Sequence, residues 1–334
     1  MSEAAASSRY SVADRAPRTL ADFLLRWETI LVALLVATVS VNSLLTPYFL
    51  DVDNLLDATF NFSEKAMIAL GMALLIITRD IDLSVASIVA LVSLAMGLAA
   101  QSGADTGVLL VVALVAGAAC GAVNGALVTG LALPSIVVTI GTMSLFRGIA
   151  QVVLGDQALT KYPEGLLSIG QGYIGANVPY SFVTFLVLAL VIGFVLHKTP
   201  LGRRIFAIGA NPEASRFSGI PAARIRFALF VLSGVLSGLA AWFLTGRIGS
   251  TRPNIAQGWE LEAVTMVILG GVSIAGGSGT IPGVVLAVFV LGLTTFGMSL
   301  MNVPGIVISV LLGLLLITVL AAPILARRWI NAWR

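Results

Sequence analysis

Residues His197–Arg226 read HKTPLGRRIFAIGANPEASRFSGIPAARIR, a basic and polar interruption between two apolar runs. Inside it, Asn211 is a strong N-cap and Pro212 suits the first helical turn. Glu213 favours the positive end of the helix dipole, and Arg216 follows three residues later. Gly219 fits a left-handed C-cap, and Pro221 prevents the helix from continuing. These signals predict a helix of about two turns, too short to persist alone in water. It needs a surface to dock against. The plainer alternative is a solvated basic loop with an incidental turn.

On both sides of this segment the chain is apolar. A membrane-crossing helix needs about 20 mostly apolar residues. Ten runs qualify as candidates: Ile30–Thr46, Ala66–Thr78, Val85–Ala100, Thr106–Gly130, Leu133–Leu154, Pro179–Leu196, Ile225–Gly246, Leu261–Ala275, Ile281–Leu300 and Val303–Ala322. Ala66–Thr78 and Leu261–Ala275 are short and border Asp- or Gly-rich stretches. They read either as broken transporter helices or as tilted spans whose ends the pattern understates. The expected fold is all-α: a polytopic bundle of about ten transmembrane helices, with the short helix between spans six and seven. The expected division is an N-terminal arm at 1–29, a membrane domain at 30–322 with its inner loop at 197–224, and a tail at 323–334.

Composition agrees. Hydrophobic residues are 58% of the 334 and charged residues 10%, and mean hydropathy is +1.02. A soluble domain carries about 25% charge, so most of this chain faces lipid or protein. Thirteen of the nineteen basic residues fall in three segments. Arg9, Arg15, Arg18 and Arg26 precede span one; Lys198, Arg203, Arg204, Arg216, Arg224 and Arg226 lie between spans six and seven; Arg327, Arg328 and Arg334 follow span ten. Even numbers of spans separate the segments, so all three can be cytoplasmic. The first outer loop is acidic (Asp51, Asp53, Asp57, Glu64), and Arg247 and Arg252 are the exceptions on that side. The basic residues cluster at span ends, which argues for lipid headgroups and against nucleic acid. Cys120 has no partner for an intramolecular disulfide. The first apolar run reads as a retained span, not a cleaved leader. Gly117, Gly121 and Gly125 recur at the spacing that lets helix backbones meet in lipid.

The stretch GRRIFAIGANPEASRFSGIP resembles the coupling segment of ribose/xylose/arabinose-type ABC importer permeases. Three further stretches match that family in order: RDIDLSVAS (Arg79–Ser87), LPSIVVTIGTMSLFRGIA (Leu133–Ala150) and GWELEAVTMVILGGVSIAGGSGTIPG (Gly258–Gly283). The resemblance implies an inner-membrane permease subunit that pairs with a second copy or a sister permease. It implies docking onto an ABC ATPase subunit through Asn211, Pro212, Glu213, Ala214, Arg216 and Gly219. A periplasmic sugar-binding protein would deliver the solute, and no cofactor or metal is implied. The chain itself has no phosphate-binding loop motif and only three lysines, Lys65, Lys161 and Lys198, so ATP must be handled elsewhere. It departs from the family at Arg79 and Asp80, which replace a double glycine, and at Ala86, which replaces another; the backbone freedom of other members is therefore not assured here. Within the family the loop and the RDIDLSVAS form look most like rhamnose and autoinducer-2 permeases. Rhamnose is the first expectation, then autoinducer-2, ribose, xylose or a polyol.

The candidates for the transport path are Asp82, Ser84, Asn124, Thr139, Thr142, Phe146 and Arg147. Arg79, Asp80 and Asp82 sit between two apolar runs, where an uncompensated charge costs roughly 2.5–3.5 kcal/mol on insertion scales. Adjacent opposite charges there could neutralise one another. The group reads equally as a break lining the path and as a turn at the cytoplasmic edge. Arg147 either snorkels outward or faces a wet cavity. Asn124, Thr139 and Thr142 offer groups a sugar could use, although membrane hydroxyls usually bond their own helix. Glu260 and Glu262 suit the start of span eight and could meet a binding protein. The glycines around Ser278 lack a nearby lysine, so a turn or close packing explains them better than a phosphate site. His197 reads as an interfacial anchor. An ion-coupled carrier using Arg79, Asp80, Asp82 and Arg147 is the alternative function; an intramembrane enzyme has no catalytic set to support it.

Overall fold

The computed structural model describes residues 26–175 and 178–332. Arg9, Arg15, Arg18 and Arg334, part of the orientation argument, lie outside the described residues. Among the described residues there are thirteen helices and one two-stranded hairpin. They run α1 (Trp27–Leu45), α2 (Val52–Ile77), α3 (Val85–Gln101), α4 (Thr106–Gly130), α5 (Ser135–Leu154), α6 (Glu164–Gly170), β1 (Tyr173–Ile174), β2 (Val178–Pro179), α7 (Tyr180–Lys198), α8 (Pro200–Ala210), α9 (Pro212–Phe217), α10 (Ala222–Ile248), α11 (Trp259–Leu269), α12 (Ile281–Leu300) and α13 (Gly305–Ala332). The all-α bundle is as expected. Seven helices (α1, α2, α4, α5, α7, α10, α12) are long and apolar enough to cross a membrane, while α3 and the first part of α13 are apolar but shorter.

The expected short span at Ala66–Thr78 is instead the inner half of the 26-residue α2. Its polar first half lowered the hydropathy that marks a span. Asp51 caps it by accepting from the Asp53 and Asn54 amides. Glu64 and Lys65 are each neutralised within the bundle: Arg247 Nε lies 2.7 Å from Glu64 Oε1, and Lys65 Nζ lies 2.5 Å from Glu262 Oε2. Arg247, one of the two exceptions to the expected charge distribution, is thus paired. The second short span is short in fact: α11 has 11 residues.

α2 is the central post, with 89% of its spanning window buried, against 11% for α1. α4 and α10 pack backbone to backbone. A Cβ on Gly117 would meet the Gly234 carbonyl, and one on Gly121 would meet the Phe230 carbonyl. Glycine is required there because the two backbones touch, which provides dispersion contact where lipid supplies no hydrophobic drive.

The expected inner loop at 197–224 is more ordered than a loop. α8 begins with Pro200 at its first turn, and the Thr199 hydroxyl accepts from Gly202 N. Its buried face is Gly202, Ile205, Ile208 and Gly209.

Candidate functional site

One end of the bundle carries α9. Asn211 Oδ1 accepts from Ala214 N at 3.0 Å, Glu213 lies in the first turn and Arg216 in the last. Gly219 takes φ +75°, and Ile220 N bonds back to Ser215 O at 3.1 Å. The helix is six residues long and buries only Ser215 within the chain. Phe217, at its end, is 91% exposed. Asn211, Pro212, Glu213, Ala214, Arg216 and Gly219 therefore all lie on one projecting peg.

Three separate stretches of sequence meet behind this peg. Arg79 Nε donates to Gly209 O at 2.6 Å and its Nη2 to Ala210 O at 2.9 Å. These are the last carbonyls of α8, left without helical partners and now held by a guanidinium. Gly277 N donates to Ile77 O at 2.9 Å, tying the glycine-rich turn to the end of α2. Gly276 and Gly277 adopt φ +79° and +76° and form the turn itself. Arg79 itself stands at φ +69°. That conformation suits glycine; here its strain is offset by the two charged hydrogen bonds.

Arg79 and Asp80 do not neutralise each other. Asp80 is held by Arg226 of α10 in a bidentate pair, both contacts at 2.6 Å, with the Asp80 side chain 2% exposed. Arg79 and Asp80 thus belong to the turn that follows α2, at the end of the bundle that carries α9. Asp82 belongs to the break above it. From Arg79 to Ser84 the chain climbs back beside α5, where Ile81 N donates to Ser135 Oγ (3.2 Å) and Thr139 Oγ1 donates to Ile81 O (3.2 Å). Asp82 Oδ1 accepts from Ser84 N (3.0 Å) and Ser84 Oγ (2.6 Å), and Asn124 Nδ2 donates to Ser84 Oγ (2.7 Å). A carboxylate at the N-terminus of α3 suits the helix dipole.

Asp82, Ser84, Asn124 and Thr139 are fully enclosed, and Thr142 and Phe146 are each 5% exposed. Within one chain these six candidates are enclosed in packing and hydrogen-bond networks. Arg147 is half-buried, with its guanidinium committed to main-chain carbonyls. Its Nη1 donates to Pro253 O (3.0 Å) and Ile255 O (2.6 Å), and its Nη2 to Ala86 O (3.2 Å). It stands about 18 Å along α5 from Ser135 at about 1.5 Å per residue, within a core about 30 Å thick. There it bonds the Pro253 and Ile255 carbonyls in the loop before α11 and adds a contact to the Ala86 carbonyl in the first turn of α3. Irregular backbone at membrane depth needs such partners.

Sequence reasoning missed three long-range ion pairs, Asp80–Arg226, Glu64–Arg247 and Lys65–Glu262. The only signal was the presence of charges inside apolar runs. Glu262, offered as a binding-protein contact, is committed to Lys65. His197 Nε2 accepts from Ile281 N at 3.2 Å, joining α7 to the start of α12.

The family described as "Branched-chain amino acid transport system / permease component" matches residues 54–320 of this chain. The chain belongs to that family. The permease is similar to the autoinducer 2 import system permease protein of Photorhabdus laumondii, at 32% identity over 92% of this chain and 96% of the relative. It is 36% identical to the ribose import permease protein of Bacillus subtilis, over 86% of this chain and 88% of the relative. It is 35% identical to the autoinducer 2 import system permease protein of Escherichia coli, over 92% and 95%. No solved structure matches it. It is a multi-pass membrane permease of the sugar-importer type, a transport component and not an enzyme.

Proposed function

We propose that this permease is the membrane subunit of an ATP-driven importer of a small polyhydroxylated solute, and that α9 is the peg gripped by the ATPase. The observation that carries the reading is a capped six-residue helix with one fully presented aromatic side chain, fixed to the bundle by Arg79 through the carbonyls that precede it. Burying a phenylalanine is worth about 1.5–3 kcal/mol. An isolated carrier has no use for such a feature. The charges that an ion-coupled carrier would employ are committed here to Gly209, Ala210, Arg226, Ser84, Pro253 and Ile255.

The partners are an ABC ATPase subunit, a periplasmic sugar-binding protein, and a second permease, either a copy or a sister chain. The permease lies in the inner membrane with both termini cytoplasmic. Ten crossings are made by α1–α5, α7 and α10–α13, with α3 and α11 as the partial members. The relatives are named for autoinducer 2 and ribose. A solute of that size is therefore the first to test, followed by rhamnose, xylose and a polyol.

The experiment is uptake by membrane vesicles carrying the whole importer. Uptake is expected to survive an uncoupler and to stop without ATP; the opposite pattern rejects the reading in favour of an ion-coupled carrier. Charge reversal at Glu213 or Arg216 is expected to abolish ATP-dependent uptake while membrane insertion is retained. Undiminished uptake in both variants removes α9 from the coupling role.

A further inference from the structure

The outer end of the molecule holds a cavity of about 730 Å³ lined by Gln151, Gly155, Asp156, Gln157, Ala158, Arg252, Pro253 and Asn254. Its volume falls within the range of small-molecule sites, roughly 300–1,000 Å³. One wall is the end of α5 and the loop that follows it. The other is the loop between α10 and α11.

Both walls are held rigid from beneath. Leu159 and Thr251 exchange backbone hydrogen bonds (Leu159 N to Thr251 O, 3.1 Å; Thr251 N to Leu159 O, 2.9 Å). The Thr251 hydroxyl meets Tyr162 Oη at 2.6 Å and also pairs with Ser93 Oγ. Arg147 holds the carbonyls of Pro253 and Ile255 directly below. The cavity is therefore a standing feature of this fold and not a gap between loose loops.

Its chemistry is selective. Two glutamines and an asparagine offer amide donors and acceptors, Asp156 offers a carboxylate and Arg252 a guanidinium. Among the described residues, none of these five side chains is spent on a hydrogen bond or ion pair within the protein. Uncommitted donors and acceptors of both kinds on a fixed frame suit a neutral ligand bearing many hydroxyls. Among the residues lining the cavity there is no aromatic ring on which a sugar face could stack. That keeps binding weak, in about the millimolar range. Weak binding suits a station that must pass its occupant on.

We infer that this cavity is an outer subsite for a small polyhydroxylated solute, occupied between release from the delivery protein and entry to the path. The inference rests on the proposed importer reading and extends it to a place on this chain.

The test uses the single native cysteine, which is buried at Cys120. Gln157→Cys and, as a second variant, Ala158→Cys place a thiol in the cavity; Gln101→Cys, exposed at the end of α3 and outside the cavity, is the control. Thiol labelling by a membrane-impermeant maleimide is followed in spheroplasts that carry the whole importer and have lost their periplasmic proteins. Ribose, rhamnose and xylose are each added at about 10 mM, and at least one is expected to slow labelling of the cavity thiols about three-fold or more while leaving the control unchanged.

Protection by none of the three overturns the inference, whatever uptake shows. Protection that appears only when the periplasmic sugar-binding protein is restored also overturns it, since the cavity is then a docking surface. Protection without any ATP-dependent uptake sustains the subsite and counts against the importer reading alone.

Discussion

Replacing Gly209 by alanine adds one methyl group at the most crowded point of the inner junction. The new Cβ would overlap the Ile77 carbonyl oxygen and lie 2.5 Å from Gly277 N. Non-bonded heavy atoms settle at about 3.5–4.0 Å, so the glycine-rich turn and the end of α2 must retreat from α8 by about 1 Å or more. That movement breaks the Gly277 N to Ile77 O bond (2.9 Å) and stretches the Arg79 bond to Gly209 O (2.6 Å). Losing the first leaves a buried donor unpaired, at about 1–3 kcal/mol; weakening the second, a charged bond, costs about 1.5–3 kcal/mol. Alanine returns about 0.5–1 kcal/mol as the better helix former. The net is a destabilisation of about 2–5 kcal/mol, concentrated where α9 is attached. Insertion of the apolar spans does not depend on this contact. The variant should reach the membrane, unfold at a clearly lower temperature in detergent, and lose most ATP-dependent uptake. Two controls separate space from conformation. Gly219→Ala has open space but φ +75°, so it should cost only about 1–2 kcal/mol. Gly130→Ala has open space and helical φ, and should be neutral. If Gly209→Ala melts and transports like Gly130→Ala, the junction does not position the peg and the reasoning fails.

Two further expectations follow from the same contacts. Asp80→Asn should lower stability by about 1–3 kcal/mol, below the about 3–5 kcal/mol for a fully buried pair because Arg226 stays 30% exposed. Adding Arg226→Gln should restore part of the loss; a double variant as unstable as the sum of the singles would show that the pair is not coupled. Arg147→Lys should reduce both melting temperature and uptake, because one ammonium cannot reproduce a planar fork spread over the carbonyls of Ala86, Pro253 and Ile255. Wild-type behaviour in the lysine variant would mean that those carbonyls need no guanidinium.

The parts legible in the sequence are those written locally. Asn-Pro at 211–212 and Gly219 start and stop α9 through contacts within four residues, and the structure places the helix between them. Thr106–Gly130 and Ile281–Leu300 were delimited by their own apolar content. The full length of α2 was not legible, because the residues that make Glu64 and Lys65 tolerable are Arg247 and Glu262, 183 and 197 positions away. α8 was hidden for a different reason. Gly202 and Gly209 lower its helix propensity, and its arginines read as an inner loop. Those two glycines are there because α8 is pressed against backbone: a Cβ on Gly202 would meet the Leu196 carbonyl, and one on Gly209 the Ile77 carbonyl.

The same contrast explains why four ordered stretches looked like separate motifs and prove to be largely one construction. A peg of six residues cannot transmit force unless its base is stiff, since its own hydrogen bonds are too few to hold it. Here the base is stiffened by contacts to main-chain atoms: Arg79 to two carbonyls of α8, Gly277 to the last carbonyl of α2, and Ile81 to Ser135 and Thr139 at the foot of α5. Main-chain contacts tolerate no added volume, so the glycines are fixed by geometry and the few polar side chains by the carbonyls they must reach. These contacts connect the base of α9 to the ends of α2 and α5 together. Through the climb from Arg79 to Ser84 they reach the start of α3, and from there Arg147 and the floor of the outer cavity. In the proposed importer this chain of contacts would link the α9 end to the cavity end, and every link in it is a hydrogen bond or covalent backbone that can be cut singly.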